Sequence, residues 1–261
     1  MKRHLRIIAT LIRFKLSHLM VFRLTFFATL FIDGTMFLMQ LLLFQAIYSQ
    51  VDSIGGWSRG ETVIFIGTFS LVNALNMVIY FFGVNDLPQK IITGTLDHYL
   101  TKPVSPLLRL TFESVDVGSI PLVLGSIAVI RYGVSLAGIT VTAGQVIAYI
   151  VLVLLMTLLW YDIGIILRTI PFFVLSTGIT RLEEFIELCV KVPGVLFRGI
   201  FKVLFYFVLP YGIIATVPTQ FLAGTLTAGG LCYAVLITAL FTALALGLWR
   251  LGVKHYKSAS S

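Results

Sequence analysis

The feature that most constrains this chain is a series of apolar runs, each about 20 residues long. That is the length an α-helix needs to cross the hydrocarbon core of a bilayer. The clearest runs from about Gly229 to Leu251 and is followed by Lys254, His255 and Lys257. Others extend from about Leu24 to Tyr48, Thr62 to Gly83, Leu110 to Tyr132 and Thr142 to Arg168. Of 261 residues, 58% are apolar and 11% charged, with a mean hydropathy of +1.01. A soluble domain would carry about 25% charge and about 45–50% apolar residues. The reading is an all-α integral membrane protein. Nineteen Lys and Arg against eleven Asp and Glu leave a net charge of +8. In such a chain this means juxtamembrane contact with anionic membrane lipid and no nucleic acid. Cys189 and Cys232 both sit in apolar surroundings and form neither a disulfide framework nor a metal-ligand pair.

Charge then orients the spans. Residues 1–23 hold Lys2, Arg3, Arg6, Arg13, Lys15 and Arg23 and no acid. Leu5, Ile8, Ile12, Leu16 and Leu19 recur at helical steps, so this segment reads as an amphipathic helix in the headgroup plane on the cytoplasmic side. Arg13 and Lys15 interrupt its apolar stretch, which excludes a signal peptide. The six-span domain covers 24–252, with a polar cytoplasmic loop at 84–109 by parity and a cytoplasmic tail at 253–261. Both termini inside require an even number of crossings, so residues 169–228 must supply a sixth. Two registers are open. Residues 178–200 form a cytoplasmic amphipathic helix and 201–218 cross, as positive-inside counting favours; or a polar helix at about 172–192 crosses and 194–225 fold back as a re-entrant hairpin on the outer side.

No P-loop, H-E-x-x-H or G-x-S-x-G motif occurs, and the four histidines are scattered. The chain is expected to be no enzyme and to hold no cofactor or metal of its own.

The loop has helical punctuation. Asn85 or Asp86 can serve as N-cap, Pro88 fits the first turn, and Gly94 suits a left-handed C-terminal position. A second short helix can start at Thr95 and stop before Pro103. Local chemistry leaves two readings, an ordinary interfacial helix or a rigid knob that takes force from a partner.

Gly56-Trp57-Ser58-Arg59-Gly60-Glu61 leads into the second span, and Gly94-x-Leu96-Asp97-x-x-Leu100-x-Lys102-Pro103-Val104 follows it. With Pro210 and Pro218 further on, these resemble the ABC-2 type permease family, the six-span membrane subunits of bacterial ABC exporters. The resemblance implies a dimer with a second permease, identical or related, two copies of a cytoplasmic ABC ATPase carrying ATP and Mg, and a place in the bacterial inner membrane. It implies that Asp86, Pro88, Lys90, Gly94, Asp97, His98, Lys102 and Pro103 belong to an ATPase-coupling element. It also implies an outer re-entrant segment at 193–225.

Polar residues inside the spans complete the candidates. Asp33 lies about three residues from the middle of the first span. It reads either as a pore, substrate or proton site or as a carboxylate paired to another helix. Ser70, Asn73 and Asn76, with Met77 beside them, form a polar line that marks a helix interface or a translocation path. Arg109 and Glu113 are spaced for an i,i+4 ion pair, with Asp116 on the same side. Trp57, Trp160, Tyr161 and Trp249 read as headgroup anchors. The expected function is an exporter permease working by alternating access. The competing one is an ion- or proton-coupled secondary transporter that uses Asp33 and needs no ATPase.

Overall fold

A computed structural model describes residues 23–51, 53, 55–174 and 191–256. Residues 1–22 of the segment expected as an interfacial helix over 1–23, residues 175–190 with Cys189 and most of the helix expected at 172–192, and the end of the tail lie outside the described residues.

Helix α1 (Arg23–Tyr48) is 26 residues long, about 39 Å. Helix α2 (Arg59–Asn76) opens on a capping box: the Glu61 amide donates to Ser58 Oγ, and the Ser58 amide donates to Glu61 Oε2. Together these satisfy two donors that a helix start otherwise leaves orphaned. A π-helical turn, Met77–Phe81, follows directly, and α-helix resumes at Phe82–Asn85. Three short helices come next: α3 (Leu87–Ile92), α4 (Asp97–Leu100) and α5 (Pro106–Phe112). Then come α6 (Ile120–Leu136) and α7 (Ala143–Arg168), the latter capped by Thr142 and Gln145 in the same reciprocal way. The chain closes with α8 (Gly199–Val203), α9 (Thr216–Leu222) and α10 (Ala228–His255).

Among the described residues, the stretches Arg59–Ile92, Ala143–Phe172 and Ala228–His255 are long and apolar enough to cross a membrane. The run expected as a third span over 110–132 is not one helix. Pro106, in the first turn of α5 behind the Ser105 cap, starts a separate short helix. The chain then leaves helix at residues 113–116, where the Asp116 carboxylate accepts from the Gly118 amide and the Ser119 hydroxyl. Only the 17 residues of α6 continue as apolar helix.

Helix α2 is the axis of the fold, buried at Thr62 and throughout Ile64–Val72. It packs on α6 at backbone distance: a Cβ at Gly133 would sit 2.7 Å from the Ile64 amide nitrogen. Small residues permit this approach, the usual solution where lipid removes the hydrophobic drive between helices. Helix α7 packs on it as well, where Thr68 and Tyr149 share a 2.7 Å hydrogen bond.

Residues 199–222 do not form the straight crossing expected over 201–218. Leu209, at φ −133° and ψ 84°, leaves helical geometry before Pro210, and the two halves, Gly199–Val208 and Pro210–Leu222, meet at 82°. The second half is buried from Pro210 to Thr219 and lies against α2 and α7.

Candidate functional site

The polar loop folds into a knob of three helices. Leu87 and Pro88 occupy the first positions of α3, where the missing proline N–H costs nothing. Asp86 does not cap it. Its backbone stays helical (φ −81°, ψ −2°), so the side chain is not aimed at the free amides; its Oδ2 lies 3.8 Å from Lys90 Nζ instead. Asn85 is not a cap either, since its Oδ1 accepts from Arg168 Nη2 at 3.3 Å. Gly94 takes the left-handed conformation expected of it, φ +75°. That turn lets the Leu96 amide reach back to the Lys90 carbonyl at 3.1 Å. The second short helix starts at Asp97 rather than Thr95 and ends at Leu100.

One carboxylate ties the three helices together. Glu113, just past α5, accepts from the Tyr99 hydroxyl of α4 at 2.6 Å. It also faces Lys90 Nζ of α3 at 3.4 Å and Arg109 Nε of α5 at 3.8 Å. The Tyr99 ring is flanked by Arg109, 4.7 Å from its centroid, and by Lys90 at 5.6 Å. Burial, then the hydrogen bond and charge of Glu113, push the Tyr99 hydroxyl above its usual range. Lys90 and Glu113 side chains are 17% and 16% exposed. Their attraction therefore acts with less water screening than at an open surface. The Arg109–Glu113 pair read from spacing is thus one arm of a larger clamp.

Below the clamp the knob rests on the end of α10. Leu87, Ile91, Leu96 and Leu110 bury against Trp249, which meets Phe172 edge to face at 5.8 Å. Tyr256 lies beside Asp97; burial pushes its hydroxyl up, and the Asp97 carboxylate adds to this. At Gly83 the backbone passes so near α5 that a Cβ would lie 1.9 Å from the Leu110 carbonyl oxygen. Outward, the knob exposes Asp86, Gln89, Ile92, His98, Lys102 and Pro103.

The knob joins the membrane helices through two neighbouring breaks. One is the π turn in the Arg59–Ile92 stretch; the other is the non-helical link before α6. The Asp116 amide donates to the Val78 carbonyl at 3.2 Å, and the Ser119 hydroxyl to Met77 Sδ at 3.8 Å. A π turn carries one residue more than α geometry needs, and such turns concentrate at functional positions. Beside it an apolar cleft of about 420 Å³ opens between the π turn, α5 and α7, lined in part by Ile79, Leu108, Leu154 and Leu158. Tyr80, Thr111 and Tyr161 add its polar atoms, with Thr111 and Tyr161 hydroxyls 2.8 Å apart.

Sequence reasoning passed over Asp162. It is buried in α7 and accepts a short hydrogen bond from Thr242 of α10. A lone acid within an apolar run was signal enough to find it. Ser70 and Asn76 of the expected polar line are buried and Asn73 partly so. The interhelical hydrogen bond expected of Asn76 does not form at its Oδ1, which has no partner among the described residues. The side chain of Asp33 lies outside the described residues. Trp57 and Trp249 are buried in the packing of the chain itself, and Trp160 stacks on Phe69 at 5.8 Å. Tyr161 meets Tyr80 edge to face at 4.8 Å. Among the described residues, no group of His, Cys, Asp and Glu could hold a metal ion.

No curated protein and no solved structure matches the chain. A family profile described as "ABC-2 family transporter protein" matches residues 35–260, which takes in the knob, both breaks and the bent pair of helices. The resemblance seen in the loop motif therefore holds over nearly the whole chain, and the protein belongs to the ABC-2 family of transporter proteins.

Proposed function

We propose that the chain is the permease subunit of an ATP-driven exporter. It spans the membrane six times with both termini in the cytoplasm, pairs with a second permease, and is driven by two separate ATPase subunits that hydrolyse Mg-ATP. The bent segment 193–225 serves as the outer re-entrant element. Support comes chiefly from one observation: three short helices clamped on Glu113 and hinged at two adjacent breaks. A rigid knob on a hinge suits the transfer of motion from a moving partner to α2 and α6. A loose loop would absorb the motion. The conformational change itself requires that the ATPase contact the knob differently in its two states. The coupling face is the exposed rim around Asp86, Ile92, His98, Lys102 and Pro103, while Pro88, Lys90, Gly94 and Asp97 shape the knob beneath it.

Pull-down from solubilised membranes tests this reading. The wild-type chain brings down a P-loop ATPase, whereas Ile92→Pro inserts normally and brings down at least about tenfold less. Undiminished association of that variant would overturn the coupling assignment. Transport by the chain alone in liposomes, driven by a proton gradient and lost in Asp33→Asn, would establish the ion-coupled alternative.

A further inference from the structure

At the end of α2 remote from the knob, a groove of about 190 Å³ lies between α1, α2 and α6. Its lining is graded. Arg59, Gln45 and Tyr48 sit at the helix ends, and Leu41, Ile66 and Val129 lie further in. Arg59 and Ile66 are seven positions apart on one helix, about 10 Å along its axis. The α1 residues run the opposite way, because Tyr48 closes that helix and its hydroxyl meets Thr62 Oγ1 at 2.6 Å. Charged and polar groups therefore collect at one end of the groove and hydrocarbon at the other.

Arg59 is exposed at the start of α2. Among the described residues it forms no ion pair, and the nearby Glu61 carboxylate is committed to the Ser58 cap. A positive charge in the first turn of α2 also opposes the helix dipole. In the orientation proposed above it further opposes the inside preference of arginine. The groove is open sideways past apolar side chains, with Leu38 and Leu42 each 54% exposed and Tyr132 58% exposed, an opening that suits a hydrocarbon chain better than water.

We propose that this groove holds one anionic phospholipid. Its phosphate sits at the Arg59 guanidinium, a fork well matched to phosphate oxygens, and the Gln45 amide lies within the same mouth. One acyl chain lies along Leu41, Ile66 and Val129, filling the wedge between α1 and the α2–α6 pair. The site needs the chain to span the membrane but needs no ATPase, so it can fail while the exporter reading stands.

The test equilibrates the purified full-length chain with vesicles of phosphatidylglycerol and phosphatidylcholine in equal parts, followed by native mass spectrometry in detergent. The wild type retains one phosphatidylglycerol in preference to phosphatidylcholine. Arg59→Gln loses that preference by about tenfold, equivalent to about 1.4 kcal/mol, whereas Arg59→Lys keeps part of it. Arg131→Gln, which removes an exposed arginine of α6 outside the groove lining, leaves it intact. Leu42→Trp fills the exposed apolar trough and lowers retention of both lipids without touching the buried core. Equal retention of the two lipids by the wild type, retention of neither, or an unchanged preference in Arg59→Gln would each overturn the proposal.

Discussion

Helix α2 and the knob that follows it are held together by different means. Toward Arg59 the helix meets α6 at backbone distance through Gly60, Gly67 and Gly133, an interface of shape with no charge in it. Past Asn76 the knob keeps one close backbone approach at Gly83 and an apolar floor on Trp249, but its three helices are joined to one another by ions and hydroxyls converging on Glu113. Steric fit of the first kind has a single arrangement, because a packed interface cannot slide by part of a residue. A clamp of the second kind can reopen and reform as side chains re-pair, at the modest energies of partly exposed ion pairs. A transporter needs both, a shaft that keeps its form and a handle that can be regrasped.

Four substitutions put that contrast to the test, from the most damaging to the least. Gly133→Val should be worst, since a Cβ there already meets the Ile64 amide and the branch has nowhere to go. Overpacking of this sort costs about 3 kcal/mol, and thermal unfolding in detergent should show it as a large loss of folded protein. If it leaves the melting temperature unchanged, the shaft is not held by shape. Glu113→Gln comes next. It leaves Lys90 and Arg109 facing a neutral amide in a half-dry setting, a loss of about 2–3 kcal/mol. Here the expected readout is failure of permease-dependent ATP hydrolysis in the assembled complex, with insertion retained. Hydrolysis at the wild-type rate would show that the clamp is dispensable.

Gly94→Ala forces a Cβ into φ +75°, worth about 1–2 kcal/mol. It should show as faster proteolysis within residues 84–106 rather than as global unfolding. The smallest effect belongs to Tyr99→Phe, and it depends on pH. Folding raises the Tyr99 hydroxyl above its ordinary value of 10.0. Below about pH 10 both folded and unfolded chains keep that proton, so stability does not vary on its account. Above it the unfolded chain releases the proton first, and stability falls. Melting temperatures between about pH 9 and about pH 11 should therefore fall less steeply in Tyr99→Phe than in wild type; identical slopes would place Tyr99 outside the clamp.

What could be read from the chain beforehand follows the range of the forces involved. Helices α1, α7 and α10 were legible to within a few residues, because an apolar run and its flanking polar residues are local facts. Gly94 and Pro88 were legible for the same reason. The Leu110–Tyr132 run misled because only part of its break is local: the Asp116 carboxylate turns the chain onto Gly118 and Ser119, and its amide is then held by Val78, on a different helix. The clamp was visible only as the Arg109–Glu113 pair, since Lys90 and Tyr99 reach the same carboxylate only through tertiary folding. Asn85 was one of two caps that local grammar allowed, with Asp86 the other, and it is drawn instead to Arg168, 83 positions away. Asp162 is a different case, a plain signal inside α7 that went unread.

The π turn at Met77–Phe81 has a geometric consequence of its own. An α-helix advances about 100° of azimuth per residue, so one surplus residue sets everything after it round by that angle relative to an uninterrupted rod. Gly83, Leu87 and Ile91 all follow the π turn, and they face Leu110 and Trp249 with this offset in place. Absorbing the surplus into regular helix would swing them away, so a change in the winding of five residues is equivalent to a quarter-turn of the whole handle.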